Sequence, residues 1–128
     1  MNYVDEASLA AVTDEVMNGA LATTRPYTIC ILRPGPRYQR PGPEREWVTD
    51  VIWEHAKRNY ALLISGLKRV VCPVADGSDV VGVSIYDANQ DDVKRIMQED
   101  PGVKAGLLAF EIHPTFSFPE SSLSSAHQ

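Results

Sequence analysis

Four short runs rich in β-branched and aromatic residues alternate with two helical patterns, and this order constrains the fold more than any other feature of the chain. Residues 27–33, YTICILR, read as a first strand. A helix follows over residues 44–65, with Pro43 in its first turn, acids at its start and Gly66 as its stop. Residues 67–74, LKRVVCPV, and 79–86, DVVGVSIY, are two strands joined by ADGSD, whose Asp-Gly pair signals a hairpin. Asn89 caps a second helix, in which Val93, Ile96 and Met97 recur at helical spacing. Asp100-Pro101 opens a short turn, and residues 107–113, LLAFEIH, form the last strand. The resulting order, β-α-β-β-α-β, predicts an α+β ferredoxin-like domain: a four-stranded antiparallel sheet with both main helices on one face.

Two segments lie outside that unit. Residues 5–21 carry Leu9, Val12 and Val16 on one helical face, which predicts one amphipathic helix capped by Asp5 or Ser8 and ending near Gly19. Residues 1–26 are therefore expected to be a helical extension, 27–118 the domain, and 119–128 a flexible Ser-rich tail. The strands are apolar on both sides: Ile29 and Ile31 alternate with Cys30 and Leu32, and Val81, Val83 and Ile85 follow Val80. A sheet covered by helices on one face and apolar on the other is expected to pair with a second copy, as a homodimer or a higher oligomer.

Charge and composition exclude several classes of partner. Twelve basic and 17 acidic residues leave a net charge of −5, and no basic run is present. That disfavours nucleic acid and anionic lipid. No apolar stretch approaches the roughly 20 residues that span a bilayer. The start MNYVDEASLAAV lacks the features of a signal peptide. Cys30 and Cys72 form neither a C-x-x-C pair nor a Cys/His cluster. The expectation is a cytoplasmic chain with reduced cysteines, no metal and no cofactor.

His55 is the first candidate for chemistry. It falls on the apolar stripe of the 44–65 helix, with Val48, Val51 and Leu62. An imidazole titrates near neutrality and can give or take a proton there, but on an apolar face it needs a partner to hold its tautomer. Asp100 suits that role while also capping the turn after Pro101, because a carboxylate has two oxygens to share. Arg58 and Asn59 lie about one turn beyond His55, placed to hold an enolate or a carboxylate. The loop PGPRYQRPGP has four prolines and two glycines in ten residues. With the residue before it, it brings Arg33, Arg37, Tyr38 and Arg40 together as a possible gate for an anionic ligand. His113, on the last strand, faces the same pocket or away from it. The competing reading makes His55 and Asp100 a structural pair, the prolines loop-shapers and the arginines a solvated flank.

The runs ILRPGP, IWEHAKRNYALLISGLKRVVCP, VGVSIYDA and MQEDPGVKAGLLAFEIHPTFSFP, in that order, resemble the YCII-related family of the dimeric α+β barrel superfamily over about residues 27–118. The resemblance implies a homodimer with facing sheets, a pocket in each subunit, and a His/Asp active site at His55 and Asp100. It further implies a cofactor-independent enzyme acting on a small cyclic or enolisable compound, of the isomerase or lyase kind. A non-catalytic module that binds a small ligand or docks on a partner is the alternative. The helix at 5–21 and the tail depart from the family pattern.

Overall fold

The computed structural model describes residues 3–123. Within that span the chain forms two compact units. The stretch up to Arg25 together with that from Phe116 is one, and Pro26–Thr115 is the other.

In the smaller unit the expected single helix is two: α1, Glu6–Ala10, and α2, Asp14–Leu21. The break is chemical. Thr13 sits in extended backbone, and its hydroxyl accepts from Val16 N at 3.2 Å, so the chain caps a new helix there. Asp5, of the two expected caps, holds the start of α1 by accepting from Ser8 N at 2.6 Å. Gly19 lies inside α2 and does not end it. Neither helix buries a residue. Residues 119–123 are exposed, and the rest of the expected tail lies outside the described residues.

The larger unit carries the ferredoxin-like fold expected from the element order. The strands are β1, Arg25–Pro34; β2, Lys68–Pro73; β3, Gly82–Tyr86; and β4, Leu108–Ser117. They form one four-stranded sheet in the order β2-β3-β1-β4, with β3 antiparallel to both its neighbours. The helices are α3, Glu46–Ser65; α4, Gln90–Gln98; and a single turn, α5, Pro101–Lys104. β4 runs past Pro114 because it is an edge strand, where a missing N–H breaks no ladder. α3 begins two residues later than expected. Thr49 Oγ1 accepts from Gly42 N at 3.1 Å and donates to Gly42 O at 3.2 Å, which keeps Pro43 in the loop ahead of the first turn. Gly66 ends α3 in the left-handed conformation, φ 86°, which a side chain would strain.

Alternation along the strands sorts the two faces. Thr28, Cys30 and Leu32 of β1 and Ser84 and Tyr86 of β3 point to the helices and are buried with Val48, Val93, Met97 and Leu107. Ile29, Ile31, Val83 and Ile85 point the other way and are half-buried. Tyr86 meets its hydrogen-bonding need inside the core by donating to Met97 Sδ at 3.2 Å. No described helix is long and apolar enough to cross a membrane.

Candidate functional site

Three elements converge beneath the sheet's helical face. α3 supplies His55 and, one turn on, Asn59. The Gly66 stop turns the chain directly into β2, whose first residue is Lys68. The junction of α4 and α5 supplies Asp100. It is 1% exposed, and its Oδ2 caps α5 by accepting from Gly102 N at 2.9 Å and Val103 N at 3.3 Å. Gly102 packs closely at that turn: a Cβ there would lie 2.6 Å from Leu108 Cδ1 and force it to shift.

His55 Nδ1 lies 2.8 Å from both Asp100 oxygens, and the histidine is 9% exposed. The expected partners are thus brought together, with the carboxylate capping and pairing at once. Arg58 Nη1 stands 3.8 Å from Asp100 Oδ1 and makes no hydrogen bond, so the guanidinium supports the carboxylate by charge alone.

The donors and acceptors assign every proton in this group. An ammonium can only donate, so Lys68 Nζ donates to Asn59 Oδ1, at 2.5 Å. The Asn59 amide is then turned with Nδ2 towards His55 Nε2, 3.1 Å away, and donates to it. His55 therefore carries its proton on Nδ1, where Asp100 accepts it. The chain runs from ammonium to amide to imidazole to carboxylate, and the carboxylate also accepts from the backbone of α5.

Lys68 escaped the sequence reading. It is 2% exposed and lies over the Tyr86 ring, 4.8 Å from its centroid. Burial pushes its ammonium down to about 8. Among the described residues no carboxylate forms an ion pair with it. Simple alternation would place it with Val70 and Cys72 on the opposite face. A register shift between Lys68 and Val70 instead aligns it with Tyr86 on the inner face. No sequence pattern marks that bulge.

Beside this group is a cavity of about 370 Å³, the size of many small-ligand sites. Its walls are mostly apolar, among them Leu32, Ile52, Leu63, Val71 and Val81, with Tyr38 and Pro41 at the loop side. Its polar lining includes His55, Asn59, Lys68 and Ser84. Of the residues singled out from sequence, His55, Asn59 and Tyr38 line it. Asp100 and Arg58 stand behind His55.

Neither Arg33 nor His113 is among the residues that line the cavity; for Arg33 this corrects the expectation of a gate, and His113 takes the second of the two orientations the sequence left open. Each follows an inward residue, Leu32 and Ile112, so alternation turns it to the opposite face. Arg33 lies in β1, as its place in the run 27–33 predicts. On that face Arg33 pairs with Glu111, and His113 Nε2 lies 2.8 Å from Glu111 Oε2. The His113 and Arg33 hydrogen bonds hold the Glu111 carboxyl below its ordinary value. Arg37 and Arg40, the other basic residues of the proposed gate, are not among the lining residues; Arg37 stacks 5.1 Å from the Trp47 ring centroid. Among the described residues no group of three or more His, Cys, Asp or Glu is arranged to hold a metal ion.

No family model and no curated protein matches the chain. Among the solved structures similar to it are a dehydrochlorinase and a protein of unknown function. One is the 5-chloro-2-hydroxyhydroquinone dehydrochlorinase from Burkholderia phenoliruptrix AC1100 in complex with 2,5-dihydroxybenzoquinone, at 25% identity and a TM-score of 0.46, covering 67% of this chain and 90% of that one. The other is a dimeric protein of unknown function and ferredoxin-like fold from Bacteroides fragilis NCTC 9343, at 17% identity and a TM-score of 0.37, covering 73% of this chain and 95% of that one.

Proposed function

We propose that the chain is a cofactor-independent enzyme of the YCII-related kind, in which His55 moves a proton on a small cyclic or enolisable compound. One observation carries the reading: a nearly buried imidazole, paired to a carboxylate through Nδ1, lines a mostly apolar cavity. His55 Nε2 would act as general base and then as general acid, and Asp100 would hold the tautomer and stabilise the imidazolium. An isomerisation or an elimination next to a carbonyl or phenol needs one such shuttle and a group to steady the enolate. Lys68 suits the second task, because a ligand oxyanion would give its buried charge the partner it lacks. The apolar walls favour a ring over a flexible polar chain. The reading includes a homodimer formed through the half-buried Ile29, Ile31, Val83 and Ile85 face, with 27–118 as the domain and 1–26 as an extension.

The alternative is a binding module in which His55 and Asp100 only brace α3 against α5, and the α5 cap supports it. The two readings diverge in one pair of measurements on His55→Gln. Turnover is screened over cyclic ketones, enol lactones and hydroquinones, and the melting temperature is recorded beside it. A proton-transfer role predicts a loss of about 10² to 10⁴ in turnover with ligand binding kept. Full turnover in His55→Gln refutes the proposal. A large fall in melting temperature with ligand binding intact and no turnover by either protein favours the binding module.

A further inference from the structure

His55 Nε2, the atom that would take the substrate proton, is already engaged. Its lone pair accepts from Asn59 Nδ2 at 3.1 Å. Asn59 lies on the same helix at i+4, so the contact is built into α3. The amide cannot turn over freely. Its oxygen is held at 2.5 Å by Lys68, which has no acceptor capacity and would face an NH₂ group if the amide reversed.

We propose that Asn59 is a displaceable cover on His55 Nε2, latched by Lys68, and that a ligand oxygen that takes over the Lys68 ammonium opens it. This rests on the proton-transfer reading of His55 and adds to it a condition on the ligand. The ligand must present two groups: a phenolate, enolate or carboxylate oxygen for Lys68, and an acidic proton for the uncovered Nε2. Compounds with only the second group would fit the apolar walls and leave the base covered.

Three observations support the latch. Lys68 and Asn59 both line the cavity, so a ligand there can reach the bond between them. Among the described residues Asn59 is the only hydrogen-bond acceptor of the Lys68 ammonium, which also lies over the Tyr86 ring face. Burial also pushes the Lys68 ammonium down to about 8, the mark of a cation short of compensation that an anionic oxygen would relieve. Asp100 is not disturbed by the opening, because it holds the opposite ring nitrogen.

The test reads the exposure of Nε2 and needs neither a substrate nor turnover, so its failure is distinct from failure of the proton-transfer reading. Acylation of His55 by diethyl pyrocarbonate is followed by peptide mass spectrometry, with the exposed His113 as internal reference. Asn59→Ala removes the cover and is expected to raise the His55 rate about tenfold, the effect of losing roughly one net hydrogen bond. Lys68→Met leaves the amide in place but unlatched and is expected to give a similar rise. The double variant is expected to react no faster than Asn59→Ala, since both changes open one device. The proposal is overturned if either single variant reacts at the wild-type rate, or if the two effects multiply, as independent loosening of the packing would make them do.

Discussion

Lys68 is where residue-scale physics and sequence reading part. A lysine second in the run 67–74 carries no mark of a site, yet the bulge after it turns the ammonium inward. Its burial has a thermodynamic consequence with a definite sign. In the folded protein the group titrates at about 8, below the ordinary 10.5. Between those values the unfolded chain binds more protons, so the lysine opposes folding in full below pH 8, and the penalty fades as pH rises towards 10.5. Lys68→Met is therefore expected to be more stable than wild type by about 1 to 2 kcal/mol at pH 7. Denaturant melts at pH 7 and pH 10 check this, with the advantage shrinking at the higher pH. A wild type more stable than the variant at pH 7 contradicts it. A residue that costs stability in the core and lines a cavity has the character of a functional one.

At the scale of elements, helix periodicity was the most legible signal. The stripe containing Val48 and His55 placed the histidine inward, and Asp-Pro placed a capping carboxylate at the start of α5. What periodicity could not show is that the same carboxylate meets His55, because that contact is set by tertiary packing between residues 45 positions apart. Nor could it show the break at Thr13, where a capping hydroxyl outweighed a continuous apolar face. Strand alternation would have sent His113 and Arg33 away from the cavity had the inward register been known. The α4–α5 junction carries two predictions. Met97→Ala, which empties the space under Tyr86, is expected to cost about 2 to 5 kcal/mol in equilibrium unfolding. Gly102→Ala places a methyl against Leu108 and should displace α5 and with it the Asp100 carboxylate. Its expected signature is a weakened His55–Asp100 hydrogen bond in imidazole nitrogen NMR, and an unchanged spectrum would count against the coupling.

For the whole molecule, the element order was enough to predict the sheet, and the order β2-β3-β1-β4 agrees with it. The face away from the helices mixes half-buried Ile29, Ile31, Val83 and Ile85 with the Arg33–Glu111–His113 group. If that face joins two copies, Ile31→Glu places a charge in the contact, and sedimentation should shift from dimer to monomer at micromolar concentration. A wild-type monomer under the same conditions would contradict the dimer. Solvent-deuterium exchange at the ring CH₂ of a cyclic α-diketone, followed by proton NMR, reads whether the Asp100-paired imidazole moves a proton for a ligand in the cavity. The wild-type protein is expected to accelerate exchange, and His55→Gln to abolish the acceleration while still binding the diketone. Equal acceleration by both proteins would contradict it.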